Sequence, residues 1–411
     1  MFKDSKVFSD KPILVASPPS SGSTLLAVML DNHPLISCGP ETSLMGNPLF
    51  YNKPNMLNVY LDLFSAEKIK FNQLNGIVAL IHGLAPTGVI YEDHLASYNT
   101  NLIKIKRILK NSKSSIEAIE GIYGHRARVK NKKYIAEKTP GNFFAFPSFF
   151  KNIPNGKVIL ITRHPYDQIY SLMKRGYDFS YAACCWISHT ARCLRYKNHL
   201  NVFLLKFEQL VNNTYNTWKN LFAFLEIEDH ANLIENFSTE QWRATNGSYQ
   251  IETWTSSPNQ LPNKSAIGQG VKFLKIEQML ALTQLQAELN AFDDSELQFK
   301  ETPNRDCKKI NFTQLCKDLE YPLIDVPNKF DSDLLADIVK NICLAHKHLD
   351  TYNTSNSFPF WEVSLASKDS NILMATRLHN EIKSSFKEKF ENRLYMIATG
   401  NLKLMSLLQQ L

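Results

Sequence analysis

With 411 residues, 44% hydrophobic and 21% charged, the chain has the composition of an ordinary globular protein, which excludes disordered and fibrous classes. Its net charge of +7 is mild and is not concentrated in an arginine-rich tract, so no nucleic-acid partner is expected. Met1 to Lys6 leads into only four consecutive apolar residues, too few for a signal core or a membrane span. The expectation is a cytoplasmic, soluble protein with no membrane partner. Seven cysteines without a C-x-x-C pair fit buried, reduced thiols better than a disulfide framework or a zinc site.

The first informative stretch is Ile13 to Thr42. An apolar strand (Ile13 to Ala16) runs into a loop of small residues (Ser17 to Thr24), then into a helix with Leu25, Leu26, Met29 and Leu30 on one face. A loop of this kind turns backbone N–H groups inward, and the helix that follows aims its positive end at the same point. Ser20, Ser21, Gly22, Ser23 and Thr24 are therefore candidates for holding a phosphate-like anion. The nucleotide motif G-x-x-x-x-G-K-[ST] is not met, because Ser23 stands where its lysine belongs. An ordinary P-loop NTPase is disfavoured.

A short strand at Ile36 to Cys38 follows, with Glu41 at the edge of the next turn. Residues 45–133 read as a helical cap, including a helix at Met56 to Phe71. The basic run Arg126, Arg128, Lys130, Lys132 and Lys133 reads as a solvated face. A further strand, Lys133 to Ala136, delivers Lys138 to a strand's C-terminal edge, where open parallel sheets bind ligands. Alone, Lys138 reads more simply as a solvated strand-end lysine.

Val158 to Ile161 is a buried parallel-type strand, followed by Arg163 and a helix with Pro165 in its first turn. Ile169, Leu172 and Met173 face inward, so Ser171 looks away from the core. Arg163 and Ser171 either hold one phosphate between them or are a surface ion-pair residue and a solvated serine. Then come a helix at Ser180 to Tyr196, a strand at Asn201 to Glu208 and a helix around Trp218. Thr245 to Gln269 reads as a long ligand loop around Trp254, and Val271 to Leu289 as a helix. Pro303 to Pro327 reads as a linker with a short helix, followed by helices at Asp333 to Leu349, Asn371 to Phe386 and Arg393 to Leu408. Strands alternating with helices give an α/β protein: a P-loop-like three-layer core with a central parallel sheet, a helical cap insertion and a helical C-terminal extension. The expected boundaries are an α/β domain over 11–290, with its cap at 45–133, and an extension over 291–411.

Several of these pieces, in order, resemble the sulfotransferases that use 3′-phosphoadenosine-5′-phosphosulfate (PAPS). Ser21-Gly22-Ser23-Thr24-Leu25-Leu26 with Met29 to Pro34 resembles the family's 5′-phosphosulfate loop and helix. Arg163 with Ser171 resembles its 3′-phosphate pair, and Glu137-Lys138-Thr139-Pro140 and Phe207 to Val211 are also typical. Lys264 to Gly270 is similar to the late glycine-containing loop that closes over the 3′-phosphate. Cys38-Gly39-Pro40-Glu41-Thr42 is similar to the tyrosylprotein branch, whose membrane anchor is not expected here.

The resemblance implies that PAPS is the donor, that no metal is needed and that the acceptor is a small molecule or peptide bearing a hydroxyl or amine. It implies Glu41 as general base and Lys138 as the cation at the leaving phosphate, and it places Ser20 to Thr24, Arg163, Ser171 and Lys264 on the donor. Base and cation on opposite sides of sulfur suit an in-line transfer. Ser20 departs from the pattern, since the family has Arg or Lys there. Two alternatives remain open: a nucleotide-binding protein of the same fold without turnover, and a nucleotide or sugar kinase.

Overall fold

The computed structural model describes residues 11–47, 49–52, 54, 57, 92–175, 178–228, 264–289, 308–325, 329–351 and 362–365. Most of the expected Met56 to Phe71 helix, Trp254 and the two last expected helices lie outside these residues.

β1 (Ile13–Ala16), α1 (Ser23–Asn32) and β2 (Ile36–Cys38) open the chain. The cap supplies α2 (Leu49–Asn52), α3 (Glu92–Ala96), α4 (Leu102–Asn111) and α5 (Ser115–Val129). β3 (Tyr134–Lys138), α6 (Phe146–Asn152), β4 (Lys157–Thr162), α7 (Pro165–Met173), α8 (Phe179–Leu194), β5 (Val202–Lys206), α9 (Phe207–Asn212) and α10 (Thr214–Leu225) complete the α/β alternation. The C-terminal part contributes α11 (Gln269–Phe273), α12 (Ile276–Thr283), β6 (Leu285–Leu289), β7 (Lys308–Asn311), α13 (Phe312–Asp318), α14 (Ser332–Thr351) and β8 (Glu362–Leu365).

The five strands pair in the order β2-β3-β1-β4-β5, all parallel. β1 and β4 are buried along their whole length, as expected of apolar runs covered on both faces. Alternate side chains go to opposite layers. Leu14, Ala16, Val158 and Leu160 pack with Ile119, Ile122 and Tyr123 of α5 and Phe146 and Phe149 of α6. Ile13, Val15, Ile159 and Ile161 pack with Leu26, Met29 and Leu30 of α1 and Trp218, Leu221 and Phe222 of α10. Each of those large apolar side chains contributes about 1.5–3 kcal/mol by its burial. β1 leads to β2 on one side of the sheet and β4 to β5 on the other. The order of connection along the sheet therefore reverses between β1 and β4, which puts the switch point, where open α/β sheets form a crevice, at their carboxyl ends.

Three readings are corrected. The basic run is a solvated face only at Arg128 and Lys133: Arg126 (2.8 Å), Lys130 (2.9 Å) and Lys132 (3.5 Å) converge on the buried Asp31 carboxylate, and Lys132 also donates to the Asp31 carbonyl. These cations neutralise the C-terminal end of α1 and tie the cap to it. Val271 to Leu289 is not one helix, because Lys275 is extended between α11 and α12 and the chain then enters β6. The C-terminal extension is not purely helical either: β7, β6 and β8 form an antiparallel sheet, with α14 packed on α8 and α12.

Cys38, Cys184, Cys185, Cys193 and Cys316 are buried and in no disulfide, as expected. Burial pushes the Cys185 thiol up to about 12. Among the described residues no helix is long and apolar enough to cross a membrane.

Candidate functional site

The loop between β1 and α1 is fixed from three directions. The Ser17 N–H donates to Pro140 O at 3.0 Å, and Ser21 Oγ donates to Gln168 Oε1 of α7 at 2.9 Å. Gly22, the residue before α1, has φ 90, and a Cβ there would collide with the Phe207 ring. The first N–H of the helix to bond back is that of Leu26, to Gly22 O at 3.1 Å, which leaves the preceding N–H groups of the first turn facing the crevice. Ser20 is left-handed at φ 66, and the buried hydroxyls of Ser17 and Ser20 have no hydrogen-bond partner. Orphaned hydroxyls beside unpaired N–H groups suit an anion.

Lys138 ends β3 with only 2% of its side chain exposed, and its Nζ lies 2.8 Å from Glu41 Oε1 and 3.4 Å from Thr24 Oγ1. The two expected catalytic groups and the anion loop therefore meet at one point. Glu41 is held by its backbone: His94 Nδ1–H donates to its carbonyl at 2.6 Å and Tyr98 OH to that of Pro40 at 2.8 Å.

Sequence reasoning named Glu137 only within a motif and gave it no role, yet it organises this corner. Its fully buried carboxylate accepts from Thr42 N (3.1 Å), Thr42 Oγ1 (2.9 Å), Thr139 Oγ1 (2.8 Å) and Asn142 Nδ2 (2.7 Å). Thr42 Oγ1 takes its own bond from Tyr123 OH at 2.7 Å and Thr139 Oγ1 from Ser43 N at 3.1 Å, so both hydroxyl protons point at Glu137. Burial pushes the Glu137 carboxyl up, and these donated bonds work against that shift. The place of Glu137 beside Lys138 in a strand that must otherwise be apolar was the signal available in the sequence.

Arg163 closes the other end. Its guanidinium lies 4.8 Å over the Phe207 ring and donates to Ser20 O at 3.3 Å and Ala266 O at 2.6 Å. Its buried Nε has no hydrogen-bond partner. Burial pushes the guanidinium below its ordinary value, while Asp167 and Glu208 act to raise it. The turn Lys264–Ala266 is thus brought to the anion loop, although Lys264 itself is exposed. Ser171, half-buried on α7, makes no side-chain hydrogen bond to Arg163 or to any other described residue.

A family model described as the sulfotransferase family matches residues 12–231, more than half of the chain. The chain belongs to the sulfotransferase family. The matched span holds the anion loop, Glu41, Lys138, Arg163 and Ser171, and stops before Lys264. No curated protein matches the chain. Among solved structures, this sulfotransferase is similar to the sulfotransferase domain of the Synechococcus PCC 7002 olefin synthase. That likeness has 17% identity, covers 67% of this chain and 92% of that one, and has a TM-score of 0.45. The sulfotransferase domain from the curacin biosynthetic pathway matches at 18% identity over 77% and 100% of the two chains, with a TM-score of 0.42. Mouse sulfotransferase SULT7A1, solved with PAP, matches at 14% identity over 66% and 81%, with a TM-score of 0.35.

Proposed function

We propose that this sulfotransferase moves the sulfuryl group of PAPS directly to a hydroxyl or amine of a small-molecule or peptide acceptor. The observation that carries the reading is the meeting of Glu41, Lys138 and Thr24 at the positive end of α1, with Arg163 donating to Ser20 O on the other flank of the same loop. A donor with two anionic ends matches two basic stations, one on each flank of the loop. Lys138 and the α1 N–H groups take the phosphosulfate end, and Arg163 with Ser171 takes the 3′-phosphate.

In the transfer, the acceptor oxygen or nitrogen forms a bond to sulfur while the bond between sulfur and the bridging oxygen breaks. The acceptor proton goes to Glu41, and the electron pair leaves on the phosphate oxygen of the nucleotide, where Lys138 offsets the charge. The direct Lys138–Glu41 pair is replaced when the sulfuryl group enters between them. Ser20 supplies a hydroxyl where a cation would strengthen the sulfate end, and Lys138, 3.4 Å from Thr24 Oγ1, supplies the positive charge there.

The test is transfer of radiolabelled sulfate from PAPS across a panel of phenols, alcohols, amines and tyrosine peptides. Glu41→Gln should abolish transfer and leave binding of adenosine 3′,5′-bisphosphate within about twofold. Normal turnover by Glu41→Gln would remove Glu41 as base. The second reading, donor binding without turnover, is favoured by the uncharged Ser20 and predicts binding with no transfer to any member of the panel.

A further inference from the structure

α7 begins with an unusual division of labour. An acidic residue at the third helical position normally reaches back to the helix's own start. Here that donor, His164 N–H, is taken by Glu208 Oε1 from α9 at 2.8 Å. Asp167, almost fully buried, is released to reach outward, and its two oxygens accept from Gly268 N–H at 2.8 Å and Gly270 N–H at 2.7 Å. The pair of alternate N–H groups is gripped by one carboxylate across a separation of about a hundred residues.

The two glycines serve this grip in different ways. Gly268 has φ 76 with open space around a would-be Cβ, so it is needed for its backbone conformation. Gly270 has no such backbone requirement, but a Cβ there would strike the Tyr166 carbonyl, so it is needed for close approach. Upstream, the same loop is held a second time, through Ala266 O on Arg163, whose other arm holds Ser20 O of the anion loop. Gln168, the neighbour of Asp167, holds Ser21. One helix start thus fastens both loops of the crevice.

We propose that Asp167 is a positioning residue that latches the Lys264–Gly270 loop over the 3′-phosphate end of the donor crevice, and that this latch sets the chain's preference for a 3′-phosphorylated nucleotide. The proposal rests on the donor reading given above. It assigns Asp167 no contact with the donor, and its effect passes through the placement of Ala266 and Arg163.

The test uses the full chain, with amide hydrogen exchange at residues 264–270 and calorimetric binding of adenosine 3′,5′-bisphosphate and adenosine 5′-monophosphate. Asp167→Ala should speed exchange of the Gly268 and Gly270 amides at least about tenfold and weaken bisphosphate binding about 10- to 100-fold, the range of hydrogen bonds to a charged acceptor. Monophosphate binding should change little, so the ratio of the two affinities collapses. Asp167→Asn keeps one acceptor oxygen and should recover part of both effects. Gly268→Ala, which strains the loop without touching α7, should reproduce the loss of preference. Unchanged exchange in Asp167→Ala overturns the latch, and faster exchange with an unchanged affinity ratio overturns its role in donor choice. A wild-type chain that binds neither nucleotide sinks the donor reading instead, and the exchange measurement still judges the latch.

Discussion

Replacing Glu137 by Gln removes one charge at constant shape from the corner that carries Glu41. Oε1 can keep facing Thr42 and Thr139, but the new amide NH2 then confronts Asn142 Nδ2, which now donates to Oε2 at 2.7 Å. Asn142 can turn its Oδ1, which has no partner, toward that NH2 only by withdrawing Nδ2 from Val15 O, a bond of 2.9 Å at the end of β1. Either arrangement leaves one buried polar group unsatisfied, at about 1–3 kcal/mol, and three remaining bonds weaken as the acceptor loses its charge. Relief from burying a charge offsets part of this. The net expectation is a loss of about 2–4 kcal/mol, read by urea unfolding at unchanged m-value. A fall in melting temperature of about 2–7 °C should accompany it. Equal or greater stability of Glu137→Gln would refute the view of Glu137 as an ionised hub accepting four hydrogen bonds.

Asp31→Asn should cost about 3–5 kcal/mol, because it strands the buried cations gathered on that carboxylate. Arg126, Lys132 and Lys130 overcome the opposing effect of burial and hold the Asp31 carboxyl below its ordinary value of 3.8. The folded state therefore binds fewer protons than the unfolded state, so this stabilisation is present above pH 3.8 and is lost as pH falls through the folded value. Acid titration of unfolding free energy should show that loss in the wild type and not in Asp31→Asn. Lys132 has a dependence of the same sign at alkaline pH: burial lowers it from 10.5 to about 8, so the unfolded state again binds more protons and stability should rise with pH across that window. The rise should vanish in Lys132→Met, as measured by the difference between the two chains at matched pH.

Segments that announce themselves locally were legible in the sequence. The uninterrupted apolar runs of β1 and β4, and the i, i+3, i+4, i+7 spacing of Trp218, Leu221, Phe222 and Leu225, gave the right elements in the right order. So did the loop of small residues before α1. What escaped depends on partners far along the chain: Asp31 meets Arg126 across 95 residues, and Asp167 meets Gly268 across 101. No periodicity records such pairings, and a basic run without its acid looks like a solvated face. β6 is a different case. Leu285, Ala287 and Leu289 alternate with Gln286 and Glu288, a period of two that marks a strand, but the helical pattern just before it carried the reading too far. At the site, the resemblance supplied Glu41 and Lys138, and the structure adds their direct contact and the Glu137 network behind them.

The most direct test of a PAPS-dependent sulfotransferase is calorimetric binding of adenosine 3′,5′-bisphosphate against ATP with Mg²⁺, in the wild type and in Arg163→Ala. The expected result is tighter binding of the bisphosphate by the wild type and a loss of about 10- to 100-fold in Arg163→Ala, in keeping with removal of a charged donor. Tighter binding of ATP with Mg²⁺, or bisphosphate binding indifferent to Arg163, would contradict the account.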